Sequence, residues 1–217
     1  MKTILLAFLI ATNIFAGEFF FEPGVTYITP DDNKKIFGVQ PLKELVGDNG
    51  VQVDLKYGLY GETADTLGAS VWVAGSLNTS RYNEIGFHVG GEIINYLDNH
   101  PSWGFSLGGE AGYCWQNNKG KSVDLSTSAT KLGYVTGGPT GGSSVGVFQE
   151  DTVGLPISLI LGVKYKINEI RIVTLDFLFT SRTYSLNYKL EGSNVENLMN
   201  SSQGTYGVRL GMKFITY

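Results

Sequence analysis

The chain has 217 residues and a formal net charge of −4, with 16 Lys and Arg against 20 Asp and Glu. It has no basic tract, which argues against nucleic acid as a partner. The 29 glycines, 12 tyrosines and 12 phenylalanines, with only 6 prolines, favour short strands and tight turns over helices.

Residues 1–16 are predicted to be a cleaved secretory signal peptide. Lys2 supplies a basic start, Ile4–Ile10 is an apolar run too short to span a bilayer, and Ala16 is a small residue suited to peptidase cleavage. The alternative is a buried N-terminal strand. No later stretch approaches the roughly 20 apolar residues of a membrane helix, so residues 17–217 are expected to form one exported domain.

Alternation of apolar and polar residues with period two predicts eight strands. In chain order they cover residues 19–28, 51–59, 67–74, 84–93, 103–115, 153–166, 173–180 and 206–214. Pro23 predicts a kink or an edge-like irregularity in the first strand. Residues 184–190 extend the seventh strand in the opposite phase, so a β-bulge is expected at 181–183.

The connections between these strands alternate in length. Short connections are expected at 61–65, 78–81, 98–102 and 167–169, and long ones at 29–50, 116–151 and 191–204. Tight turns at one end of an even number of antiparallel strands, with longer loops at the other, are typical of outer-membrane barrels. In hydrocarbon every backbone N–H and C=O must be paired, so a sheet can cross only when it closes.

The predicted fold class is therefore all-β, an eight-stranded antiparallel up-and-down transmembrane β-barrel with short periplasmic turns and longer extracellular loops. Aromatic residues near the strand ends are expected to form the girdles that such barrels place at the two membrane interfaces. They are Tyr27, Tyr57, Trp103, Tyr113, Trp115, Tyr165, Tyr206 and Phe214. The alternative interpretation is the ordinary core aromatics of a soluble two-sheet sandwich.

The second row of each strand would then face the lumen, where it forms a predicted polar network. Its members are Asp54, Lys56, Glu84, His88, Glu92, Glu110, Lys164, Asp176, Arg209 and Lys213. Side chains only just fill an eight-stranded barrel, and an unpaired buried charge costs several kcal/mol. These residues are therefore interpreted as a paired polar plug; the alternative is a narrow pore whose charges select solutes.

Catalytic and metal chemistry are not expected. His88 lies between Glu84 and Glu92 on one strand face, but Gly90 stands two positions after it, where a serine would suggest a lipid A-modifying enzyme. A metal site from these residues and Cys114 lacks any standard ligand spacing, and no cofactor is expected. Cys114 is the single cysteine and is predicted to be a small filler facing the lumen.

Taken together, the strands resemble the small eight-stranded bacterial outer-membrane proteins of the OmpA, OmpX and OmpW type. The stretches most similar to the OmpW branch are Ala16–Phe20, Thr29–Pro30, Ile167–Asn168, Asn187–Leu190 and Gly192. The alternating last strand is similar to the family's assembly signal, which ends in an aromatic residue. Here the alternation ends at Phe214, and Tyr217 is out of phase with it.

The resemblance implies a location in the outer membrane of a Gram-negative bacterium. It implies as partners outer-membrane lipid and lipopolysaccharide, and the assembly machinery that reads the last strand. The long loops at the outer face are where binding of an extracellular ligand is expected. The expected role is structural or surface interaction with a plugged lumen. One alternative is an OmpW-like passive channel for small hydrophobic molecules, which needs an apolar funnel at the outer end, with contributions from Phe20, Trp72 and Ile160. The other is a lipid A-modifying enzyme using His88.

Overall fold

The computed structural model describes residues 17–31, 50–63, 66–79, 83–124, 145–190 and 196–216. The predicted signal peptide, residues 1–16, lies outside this part of the chain. The strands are β1 (Glu18–Asp31), β2 (Gly50–Thr63), β3 (Leu67–Asn78), β4 (Glu84–Leu97), β5 (His100–Gln116), β6 (Ser122–Asp124), β7 (Val145–Phe148), β8 (Thr152–Asn168), β9 (Arg171–Leu190) and β10 (Glu196–Thr216). None of the described segments contains a helix with the length and apolar character to cross a membrane.

Eight of these strands close into a barrel. β1 to β5 pair in sequence, β5 pairs with β8, β8 with β9, β9 with β10, and β10 returns to β1, every pair being antiparallel. Paired residues followed once around the barrel lead from Phe21 to Asp31 of β1, a stagger of ten residues. Eight strands with this stagger tilt by roughly 40° from the barrel axis. The predicted eight-stranded antiparallel barrel is confirmed.

Pro23 disturbs the barrel on one side of β1 only. Pairing with β2 runs through it, with Pro23 opposite Leu55. Pairing with β10 passes from Phe21 opposite Phe214 directly to Gly24 opposite Gly211. Proline has no N–H to donate, so the interruption falls where its missing donor would have met the neighbouring strand. The predicted irregularity is confirmed.

The loop end differs from the expectation. Residues 116–151 were expected to be loop, but they include β6 and β7, which pair with each other, and β7 also pairs with β9. Most of the expected loop at 191–204 belongs to β10, whose pairing with β9 reaches Glu196 opposite Lys189. We call this end the long-loop end and the opposite one the short-turn end.

The predicted bulge at 181–183 is wrong. β9 pairs with β8 and β10 through this region without a change of register. Arg182 and Tyr184 continue the inward row that contains Thr180, and all three are buried. The change of phase in the sequence reflects a change of surroundings: towards the long-loop end the outward row becomes polar, while an aromatic residue enters the inward row.

An inward glycine allows close packing against the neighbouring strand at Gly112 of β5, which lies directly opposite His88 of β4. A Cβ at this position would lie 2.0 Å from the carbonyl oxygen of Phe87 and 2.8 Å from Cα of His88, both backbone atoms. We expect Gly112→Ala to reduce the free energy of unfolding by about 1–3 kcal/mol, since the neighbouring strand must shift. Urea titration of the refolded protein measures this.

Gly75 is the matched control, because nothing lies within 4 Å of a Cβ built there. We expect Gly75→Ala to leave the unfolding midpoint within experimental error or slightly above that of the parent. Equal losses for the two variants would contradict the packing described for Gly112.

Candidate functional site

The lumen brings together the polar residues that the alternation places inside. All ten predicted members of the network have a relative exposure of 9% or less, and they occupy different heights. We describe them as a central ion cluster, a polar layer above it and an outer cluster near the long-loop end. A floor of aromatic and aliphatic residues lies at the short-turn end.

Asp176 is the hub of the central ion cluster, which consists of Glu22, Lys56, Glu92, Lys164, Asp176, Arg209 and Lys213. Lys164 Nζ lies 2.7 Å from Asp176 Oδ1, while Arg209 donates through Nη2 at 2.8 Å and through Nε at 3.1 Å to Oδ2. Lys56 Nζ lies 3.9 Å from the same Oδ2. A single carboxylate therefore faces three cations that come from β2, β8 and β10.

The other two carboxylates of the cluster complete the pairing. Glu92 accepts from Lys213 at 3.0 Å and lies 2.8 Å from Lys164 Nζ. Glu22 accepts from Lys56 at 3.0 Å and lies 3.8 Å from Lys213 Nζ. Each of these side chains is at most 1% exposed, so the charges neutralise one another rather than being solvated by water.

The layer above is polar with fewer ion pairs. Asp54 accepts hydrogen bonds from Thr26 and Gln52, each at 2.5 Å. Glu110 lies 3.7 Å from Arg209 Nη1. His88 Nε2 is 2.9 Å from Ser76 Oγ.

Glu84 organises the outer cluster, which consists of Glu84, Gln116, Arg182 and Tyr184. It accepts a hydrogen bond from the Tyr184 hydroxyl at 2.9 Å and another from Gln116 Nε2 at 3.1 Å. Arg182 Nε lies 3.5 Å from Glu84 Oε1, and Arg182 Nη1 donates to Thr205 at 2.8 Å. Cys114 lies on the inward row near this cluster and is 1% exposed.

The floor consists of Phe20, Tyr60, Ile94, Tyr96, Ile172 and Ile215, all at most 5% exposed. The hydroxyls of Tyr60 and Tyr96 are 2.9 Å apart. Below the floor, Lys166 Nζ lies 3.7 Å from the ring centroid of Tyr96 and donates to Glu62 at 2.8 Å. An open cavity of about 830 Å³ lies under it, at the mouth formed by the short turns.

The channel alternative requires an apolar funnel at the outer end, and the positions of Phe20 and Trp72 do not supply one. Phe20, Trp72 and Ile160 do face inward, but Phe20 is part of the floor at the opposite end. Trp72 packs beneath the Lys56 ammonium, 4.4 Å from the ring centroid. The alternation along a strand predicts whether a side chain faces inward or outward. It does not predict which end of the barrel the side chain lies near.

Sequence reasoning also missed inward residues of these clusters, among them Gln116, which was expected in a loop, and three others. Glu22 has the same parity as Phe20 but stands next to Pro23, which obscured the alternation. The bulge expected at 181–183 includes Arg182 and would reverse the face that Tyr184 occupies, so neither was placed on the inward row. Unbroken parity along β1 and β9 would have found all three.

The outward face carries a continuous apolar belt, in which the large exposed side chains are 36% to 61% accessible. Seven of the eight predicted girdle residues are exposed outward, while Phe214 is half-buried. Trp103 and Tyr165 pack with ring centroids 4.7 Å apart near the short turns. Tyr113 and Trp115 stack at 6.3 Å near the long loops.

The height of this belt follows from the strand geometry. On β8 the outward row is apolar from Val153 to Tyr165. With a rise of about 3.3 Å per residue and a tilt of roughly 40°, that span is roughly 30 Å along the barrel axis. On β9 the outward row changes from Phe177 and Phe179 to Ser181 and Thr183, which marks the edge of the belt towards the long loops.

The segments that the structure describes contain no group of three or more His, Cys, Asp or Glu residues arranged to hold a metal ion. His88, Glu84 and Glu92 share the inward face of β4, but they lie at different heights. Glu84 belongs to the outer cluster, His88 to the polar layer and Glu92 to the central ion cluster. Their chemistry in this arrangement is hydrogen bonding and ion pairing.

No protein-family model matches the chain, and no curated protein matches it. Solved structures do match. Outer membrane protein OprG from Pseudomonas aeruginosa is 16% identical, with 93% of this chain and 98% of that chain covered and a TM-score of 0.44. The E. coli outer membrane protein W is 18% identical, with 92% and 99% covered and a TM-score of 0.43.

Neisserial surface protein A is 14% identical over 91% of this chain and 97% of that chain, with a TM-score of 0.42. The resemblance predicted from the sequence is confirmed at the level of the barrel fold, which the closed strand pairing establishes by itself. Similarity at this level of identity and TM-score gives no information about the function of the chain.

Proposed function

We propose that the chain is an outer-membrane β-barrel with a polar, plugged lumen, serving a structural or surface-interaction role. The proposal rests on one observation, the contrast between the outer and the inner face of the barrel. Apolar side chains cover the outside over roughly 30 Å, about the thickness of a bilayer's hydrocarbon core, while ionised side chains fill the inside. Closure leaves no unpaired sheet edge in this span, as a lipid environment requires.

The plug is supported by charge balance as well as by packing. Among the described residues, six buried carboxylates (Glu22, Asp54, Glu84, Glu92, Glu110 and Asp176) face five buried bases (Lys56, Lys164, Arg182, Arg209 and Lys213). A solute-selecting ring would carry one sign in excess. The floor adds a second barrier of side chains that are almost completely buried. The polar outer interior also disfavours a conduit for hydrophobic molecules.

Surface interaction is supported by the strands that continue past the belt. β9 and β10 remain paired up to Lys189 and Glu196, and β7 and β6 extend this sheet sideways. Binding residues concentrate on segments that a rigid scaffold holds in solvent. We place the extracellular ligand here, lipid and lipopolysaccharide on the belt, and the assembly machinery on β10.

Planar-bilayer recording tests the plug. We expect no reproducible conductance step from the purified, refolded protein, because neither ions nor water can pass the central ion cluster and the floor. A gel shift between unboiled and boiled samples verifies that the added protein is a folded barrel. Regular conductance steps from such a sample would contradict the proposal, and recovery of the chain from the soluble periplasmic fraction would contradict the location.

A further inference from the structure

The polar layer encloses a small cavity above the central ion cluster. Its volume is about 10 Å³, and its wall includes His88, Glu110, Ser158, Thr180, Arg182 and Thr205. A cavity needs about 10–15 Å³ on this measure, together with two to four polar partners, to hold one water molecule. The space therefore suits a single water and nothing larger.

His88 lines this cavity, and one of its ring nitrogens lacks a hydrogen-bond partner among the described residues. His88 is 5% exposed, and its Nδ1 has no hydrogen-bond partner among the described residues, while Nε2 is satisfied by Ser76. Gly86 leaves room for the ring, because a Cβ there would be 2.5 Å from Nε2. A buried nitrogen without a partner costs about 1–3 kcal/mol, which a bound water removes.

The cavity wall supplies the remaining partners. Arg182 lines the cavity and is 5% exposed; its Nε is 3.5 Å from Glu84 Oε1, an ion pair that does not meet hydrogen-bond geometry. The Glu110 carboxylate lies on the same wall, and the hydroxyls of Ser158 and Thr180 are 2.9 Å apart. Donors and acceptors are both present, so a water can be held in either tautomer of His88.

We propose that this cavity is a binding site for one ordered water molecule, held by His88 Nδ1 and at least one further polar atom of the wall. The site depends on the cavity and its lining and is independent of the proposed biological role. It marks the depth to which water reaches into the barrel, with the charge-paired and dry region beginning directly below it.

A high-resolution crystal structure of the unmodified barrel tests the site directly. We expect one density peak within hydrogen-bond distance of His88 Nδ1 and of a second wall atom. An empty cavity, or Nδ1 bonded directly to a protein side chain such as Glu110, would overturn the proposal. This measurement requires no substitution and does not depend on whether a variant folds.

Nuclear magnetic resonance in lipid nanodiscs gives an independent test. We expect a cross-peak between the Thr180 methyl group and a long-lived water in the unmodified protein. It should disappear in His88→Leu and persist in Ser76→Ala, the matched control that changes only the Nε2 partner. Persistence of the cross-peak in His88→Leu, or its absence from the unmodified protein, would overturn the proposal.

Discussion

Asp176→Asn is expected to reduce the free energy of unfolding by about 3–5 kcal/mol, the loss typical of removing one partner from a buried ion pair. The carboxylate faces Lys164, Arg209 and Lys56, and it is 0% exposed. The amide keeps the shape of the side chain but supplies no negative charge. The four cations of the central ion cluster would then face Glu22, Glu92 and, beside Arg209, Glu110, in a dry interior with one negative charge fewer.

Urea unfolding of the protein refolded into lipid vesicles measures this loss. Asp151→Asn is the matched control, because Asp151 is exposed and, among the described residues, accepts a 3.2 Å hydrogen bond from the Lys119 backbone, so its unfolding midpoint should not move. The double variant Asp176→Asn with Arg209→Gln should recover part of the loss, since it also removes one uncompensated cation. A midpoint for Asp176→Asn equal to that of the control would show that the cluster does not stabilise the barrel.

The existence of this cluster could be foreseen from the sequence, and its pairing could not. Period-two alternation placed Lys56, Lys164, Asp176, Arg209 and Lys213 on inward rows, because successive side chains of a strand point to opposite faces. Which of them meet depends on the stagger between strands. Nothing local in the sequence sets a stagger of ten residues, so pairs as distant in sequence as Lys213 and Glu22, or Lys213 and Glu92, become visible only in the closed barrel.

Besides the pairing between strands, the alternation does not predict the height of a residue along the barrel axis. Inward parity makes Phe20 a candidate for the outer funnel of the channel alternative, but its position two residues into β1 places it in the floor at the short-turn end. The expected bulge in β9 has a similar origin. A strand that leaves the apolar belt exchanges the character of its two rows without any change in backbone geometry, as Thr183 and Tyr184 illustrate.

The outward face carries the second large effect. Leu159 lies midway between Val153 and Tyr165 on β8 and is 49% exposed. On a soluble protein, arginine at such a position would be nearly neutral, since surface substitutions usually stay within about 0.5 kcal/mol. At the centre of a bilayer we expect Leu159→Arg to reduce the free energy of unfolding by about 2–4 kcal/mol, because the guanidinium must be held in hydrocarbon.

Ile167→Arg is the control that isolates depth from the change of residue. Ile167 lies on β8 and is 51% exposed, but it is near the short turn, where the cost of an arginine falls to about 0–1 kcal/mol. Urea titration of both variants in vesicles gives the two losses, and their difference reports the position of Leu159 in the membrane. Equal losses would mean that the apolar belt meets something other than lipid, and the membrane placement would then have to be abandoned even though the barrel itself is closed.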